Sequence, residues 1–352
     1  MKKRAITRIA AMMLGLTLAL SACGGGEADS DQTEQQAQKP VSEKTDAGDM
    51  IKVGVANRTF KESVYLFMQQ SSEAKAKEYG NMQIDWQACD VNLATQKSVV
   101  ENFISQGYDV IMIEPVDAVS MIRSAKEVQD AGIKLILFDT RMEGIVPDAF
   151  ITSDLYQFGV MQVEHFAKLY GADKAAKVVM IDGSPGDLSA ELMAKGVHDT
   201  IEEKYPNFEI VYEQQIQDFD REKAMKSMED VISVHGDTIN AVFCANDGMM
   251  LGAYKAAKNA GMEANIAFYG GDNDKETNEM MLAGAHNLYV LDRGAIQQGE
   301  LIAQAAYELA TGAELTCDKE DEDGYKVIMS QNVMVSSDNL EPSKIKFPEL
   351  FE

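Results

Sequence analysis

Short runs rich in β-branched and aliphatic side chains recur from residue 51 to residue 292. They are IKVGVA (51–56), MQIDWQA (82–88), DVIMIEP (109–115), KLILFD (134–139), AFITSD (149–154), KVVMIDG (177–183), FEIVYEQQI (208–216), INAVFCA (239–245), IAFYGGD (266–272) and HNLYVLD (286–292). Between them apolar residues return at three- and four-residue spacing, as in Val64, Phe67, Met68 and Ser71, and in Val99, Val100, Phe103 and Ile104. Nearly continuous apolar strands alternating with amphipathic helices predict parallel sheets covered on both faces. Gly80, Gly107, Gly132, Gly261 and Gly284 each follow a helical stretch and shortly precede a strand, where a left-handed helix cap belongs.

The units fall into two groups, 51–148 and 177–292, joined by AFITSDLYQFG. After Asp292 the pattern predicts a helix (roughly 294–311), an acidic turn (Asp318–Asp323) and a strand pair (Tyr325–Ser337). The expected architecture is α/β, with two open parallel-sheet, Rossmann-like lobes joined by a multi-crossover hinge. Residues 50–152 with about 293–322 are assigned to the N-terminal lobe and 153–292 with about 323–340 to the C-terminal lobe, leaving 341–352 as a tail. Any ligand is expected where the strand C-termini of the two sheets face each other.

The N-terminus changes the picture from a free domain to an exported one. Lys2, Lys3, Arg4 and Arg8 precede a short apolar stretch at 9–20, which reads as a secretory signal rather than a membrane span. Leu20-Ser21-Ala22-Cys23 resembles the bacterial lipobox, which predicts a signal peptide at 1–22 and lipidation of Cys23 on the outer side of the cell membrane. Residues 24–49 hold almost no large apolar side chain and are expected to act as a tether.

The chain carries 57 acidic against 32 basic residues, a net charge of −25, and loss of the four signal cations takes it to −29. Nucleic acid and anionic lipid are poor partners for it. Cys89, Cys244 and Cys317 lack metal spacing, and Cys89 and Cys244 read as small buried hydrophobes. His165, His198, His235 and His286 are scattered and read as surface residues, and the 21 methionines as core filling. With no GxSxG, HExxH or P-loop, an enzyme is not expected, nor any cofactor or metal. Glycoside hydrolysis by paired carboxylates is the rival chemistry.

Polar side chains gather at the predicted strand ends. Carboxylates and amides with an aromatic among them suit a polyhydroxylated ligand, because each carboxylate accepts from two hydroxyls and an aromatic face covers sugar C–H groups. Asp247 and Asp274, each opening a helix, read as N-caps; Asp139, Asp272 and Asp292, at the strand ends themselves, read as ligand contacts.

The opening IKVGVA, IEPVDAVSMIRSAKEVQDAGIKLILFD, AVFCANDGMMLGAYKAAKNAGM with FYGGDND, and the closing QNVMVSSDNL together resemble the ribose/galactose class of type I periplasmic binding proteins over most of residues 50–340. The resemblance implies ligand capture by hinge closure, delivery to an ABC permease, and in some members signalling to a chemoreceptor or sensor kinase, with the protein acting as a monomer. By position it implies ligand contacts at Glu62, Glu114, Asp139, Phe219, Asn246, Asp272 and Asp292, with Phe219 as the stacking aromatic. Two departures stand out: Glu114 occupies a position commonly Asn, and Met193 one commonly Arg. The calcium loop of the galactose branch has no match in YGADKAAKV. The expected pocket is therefore rich in carboxylates unless Arg141, Arg58 or Arg293 turns inward; Arg141 is taken as a site residue. The ligand is read as a sugar, with an amino sugar or other cationic polyol as the alternative.

Overall fold

The computed structural model describes residues 49–351, so the signal, Cys23 and the tether lie outside the described residues. The first sheet is built from β1 (Ile51–Asn57), β2 (Met82–Ala88), β3 (Val110–Ile113), β4 (Lys134–Phe138) and β5 (Ala149–Ser153), completed by β11 (Lys319–Glu320) and β12 (Lys326–Ser330). Its spatial order is β11-β12-β5-β4-β3-β1-β2, parallel apart from the β11–β12 pair. The second sheet contains β6 (Ala176–Asp182), β7 (Phe208–Gln215), β8 (Ala241–Cys244), β9 (Ala267–Gly271), β10 (Leu288–Asp292) and β13 (Val333–Val335), in the order β13-β10-β9-β8-β6-β7. Only β13 runs antiparallel there.

Strand residues alternate between two cores. Val110 and Met112 pack on one face of the first sheet, Ile111 and Ile113 on the other, and each is fully buried. Burial of such a side chain contributes about 1.5–3 kcal/mol. Helices cover both faces: α1 (Ser63–Tyr79) pairs with α9 (Ala295–Thr311) on the first lobe, and α4 (Leu155–Tyr170) with α5 (Leu188–Lys204) on the second. These pairs approach so closely that a Cβ on Gly299 would collide with the Met68 carbonyl, and one on Gly159 with the Met193 carbonyl. The five glycines predicted as helix caps all have left-handed φ, from 65° to 101°.

One boundary differs from the sequence pattern. The predicted strand pair 325–337 is split between lobes: β12 joins β5 in the first sheet, whereas β13 joins β10 in the second. The final crossover therefore lies at Gln331–Asn332, not near residue 322. The alternating pattern alone could not tell a hairpin from two strands on opposite sheets.

Three chain crossings thus join the lobes, at Asp154, at Arg293–Gly294 and at Gln331–Asn332, and they are bonded to one another. Asn332 Nδ2 donates to the Asp154 carbonyl (2.7 Å), and Ser330 Oγ and Gln298 Nε2 donate to the Arg293 carbonyl (2.6 and 2.9 Å). Residues 341–351 are not a free tail. Ser343 Oγ donates to Asn273 Oδ1, Lys346 Nζ donates to the Asp272 carbonyl, and Phe347 meets Phe67 of α1 edge to face.

Candidate functional site

The strand C-termini of the two lobes face each other across a cleft of about 920 Å³, which narrows to an inner chamber of about 30 Å³. Backbone strain is concentrated here. Among the described residues, the non-glycine positions with left-handed φ are Asp90, Val91, Asp139, Asp218, Phe219, Asp272 and Asn273, and all but Asn273 line the cleft or its inner end. Such conformations cost of order 1–3 kcal/mol each and persist where surrounding structure enforces them, typically at ligand sites.

From the first lobe, the loop after β1 brings Arg58 and Glu62, Glu114 directly follows β3, and Asp139 directly follows β4. Arg58 holds three carboxylates: Glu62 at 3.1 Å, Glu114 at 3.3 Å and Asp187 of the second lobe at 3.1 Å. Glu114 is 1% exposed and accepts the Tyr65 hydroxyl at 2.5 Å. Burial, opposed by Arg58, pushes its carboxyl up to about 8.

From the second lobe, Asp187 caps α5 through Ser189 N and Ala190 N (2.9 and 3.2 Å), so one oxygen serves the helix while the other takes Arg58. Phe219 lies against Gly183, where a Cβ would collide with the ring. Asn246 lines the chamber while its Oδ1 accepts the Met249 N–H as the cap of α7 (Asp247–Asn259). Asp272 sits within 3.5 Å of Arg293 Nε; burial, partly offset by Arg293, pushes it up to about 7. Arg293, on the central crossover, also reaches Asp139 at 3.4 Å, so one guanidinium touches a carboxylate of each lobe. Ser63 Oγ donates to Asp274 across the cleft mouth.

Three buried polar atoms at this site lack hydrogen-bond partners: Asp139 Oδ1, Arg58 Nε and Arg293 Nε. Donors and an acceptor thus converge on one chamber from the first lobe and the crossover.

Of the residues read from the sequence as ligand contacts, the structure brings Glu62, Glu114, Asp139, Phe219, Asn246 and Asp272 to one chamber. It corrects two others. Arg141 turns away from the cleft to Asp321 and Asp323 (2.5 and 3.7 Å) and lies over the Tyr325 and Phe150 rings, because the acidic turn offers charge and aromatic faces together. Asp292 lies behind the chamber, accepting from Asn273 Nδ2 and the Gly294 N–H (2.8 and 2.7 Å), and so shapes the crossover. The cap reading of Asp247 and Asp274 is also revised. Asn246 caps α7, Asp247 is fully buried beneath and accepts the Asp274 N–H at 2.7 Å, and Asp274 stands at the start of α8 (Lys275–Leu282) without a side-chain cap bond. His165 is not a surface residue: it is half-buried between Tyr269 and Tyr289 and bonds Tyr269 Oη at 3.0 Å, and burial lowers its pKa. Arg58, Arg293, Tyr65 and Asp187 complete the site. Both arginines directly follow strands in the sequence, which is the signal that marks them.

A family model described as a periplasmic binding protein domain matches residues 53–314. The ribose import binding protein of Bacillus subtilis is 28% identical over 73% of this chain and 80% of its own length. The D-xylose-binding periplasmic protein of Escherichia coli is 26% identical over 74% of this chain and 79% of its own. Among solved structures, an ABC transporter solute binding protein from Bacillus halodurans with bound myo-inositol superposes with a TM-score of 0.73 at 27% identity, covering 86% of this chain and all of the other. Fold, cleft and sequence agree, and the chain belongs to the periplasmic binding protein family.

Proposed function

We propose that this chain is the substrate-binding lipoprotein of an ABC importer, capturing one small polyhydroxylated molecule between its lobes by hinge closure. The observation that carries the reading is a chamber where Asp139 Oδ1 and Arg58 Nε of the first lobe and Arg293 Nε of the crossover are buried without a hydrogen bond, facing Phe219, Asn246 and Asp272 of the second lobe. A sugar or cyclitol hydroxyl both donates and accepts, so one ligand answers these atoms and the Asn246 and Asp272 side chains opposite only when the lobes are together. The Phe219 ring offers the apolar face such a ligand needs.

Relatives named for ribose and xylose import and a structural neighbour holding myo-inositol support a ligand of this class. The lipobox at Leu20–Cys23 and the basic, then apolar, leader support export and anchoring through Cys23. Among the described residues no helix is long and apolar enough to cross a membrane.

The test is a thermal-shift panel of pentoses, hexoses, cyclitols, amino sugars and amino acids. A true ligand at 100 times its dissociation constant stabilises the fold by about 2.7 kcal/mol. A panel in which amino acids shift the melting temperature and no polyol does would overturn the proposal.

A further inference from the structure

The inner chamber holds more acidic than basic side chains. Glu62, Glu114, Asp139, Asp187 and Asp272 line it against Arg58 and Arg293, and no lysine or histidine does. Two guanidinium charges are thus shared among five carboxyls. Other charged groups lie outside the chamber: Lys346 bonds the Asp272 carbonyl and partly offsets that carboxyl's charge, Asp274 opposes this and takes Ser63, and Lys61 and Lys275 line only the outer cleft. Asp139 makes the imbalance local. It is 6% exposed, its Oδ2 faces Arg293 at 3.4 Å, and its Oδ1 accepts from nothing. A buried carboxylate oxygen without a donor costs roughly 1–3 kcal/mol or more, so a donor bearing positive charge is the group it binds best.

We infer that the chamber takes the ammonium group of an aminated polyol, an amino sugar or aminocyclitol, with the amine donating to Asp139 Oδ1 in the field of Glu114 and Asp272. This rests on the reading of the cleft as a polyol site and narrows its ligand class. The hydroxyls of the same molecule are left for Asn246, Arg58 and Arg293. Burial holds Glu114 up to about 8 and Asp272 up to about 7, so the closed chamber retains protons at neutral pH that an ammonium displaces.

The experiment is isothermal titration of the full chain in detergent with matched probes: D-glucosamine, D-glucose and N-acetyl-D-glucosamine, then an amino-inositol against myo-inositol. At least one amine is expected to bind about tenfold or more tightly than its neutral counterparts, the difference between a charge-assisted and a neutral hydrogen bond. Heats in buffers of different ionisation enthalpy are expected to report proton release for the amine only. Asp139→Asn should abolish the preference, and Glu114→Gln, which keeps the chamber's shape, should weaken it. Neutral sugars binding as tightly as their amines, or a preference that survives Asp139→Asn, overturns the inference and leaves the polyol site standing. Binding of none of the probes overturns both.

Discussion

Replacing Glu114 by glutamine isolates one buried carboxyl whose titration is written into the pH dependence of stability. In the folded protein its pKa is about 8, raised first by burial and then by Asp139 and Glu62 against the pull of Arg58 and the Tyr65 hydroxyl. In an unfolded chain the same group releases its proton near 4.3. Between those values the folded state holds a proton that the unfolded state has lost, so this stabilisation is complete below about pH 4.3 and disappears as pH rises through about 8. From pH 6 to pH 9 the group alone removes about 3 kcal/mol. Glutamine keeps the shape and cannot ionise. Asp272 and Asp182, pushed up to about 7 and about 8, titrate in the same range but are present in both proteins, so the difference between the two pH slopes belongs to Glu114. The assay is urea unfolding at the two pH values, followed through the single tryptophan, Trp86, which packs against Phe60 and Phe138. The wild type should lose about 3 kcal/mol more than Glu114→Gln. Parallel losses would mean that Glu114 is ionised in the folded protein at neutral pH, and the electrostatic account of the chamber would fail.

Other outcomes follow from the packing. Arg141→Ala should lower stability by about 1 kcal/mol, through its ring contacts and its half-exposed pairs with Asp321 and Asp323, while leaving ligand affinity unchanged in titration. Gly299→Ala drives a methyl group into the Met68 carbonyl and should cost about 1–3 kcal/mol in denaturant unfolding; a neutral result would refute the close approach of α1 and α9. Native alkylation followed by peptide mass spectrometry should label Cys317, which is exposed, and spare Cys89 and Cys244, which are buried; burial pushes the Cys89 thiol up to about 12. Labelling of Cys89 at the rate of Cys317 would contradict its burial.

Much of the fold was legible because most strands are short and apolar and several of the helices that follow them end on glycine. Those features are local, and local features survive in sequence. The cleft-lining carboxylates were legible for a related reason: a strand C-terminus opens on the cleft in this topology. What escaped depended on distant partners. Arg141 sits at a strand end like Arg58, but Asp321 and Tyr325, far along the chain, draw it outward. Arg293 turns inward because Asp139 and Asp272 wait there from opposite lobes. Asp292 occupies the same kind of strand end as Asp272, yet Asn273 and Gly294 claim it first. The split of 325–337 between sheets was likewise hidden, since pairing partners far apart in sequence leave no periodic trace.

The late arrival of β12 bears on the order in which the protein is made. Val327 pairs with Phe150 and Ile328 with Ile151, so the first sheet lacks an internal strand until β6 to β10 of the other sheet have all been made. The segment that seats Lys346 beneath Asp272 comes later still. A nascent chain cannot complete either lobe, and contacts this distant in sequence form slowly even afterwards.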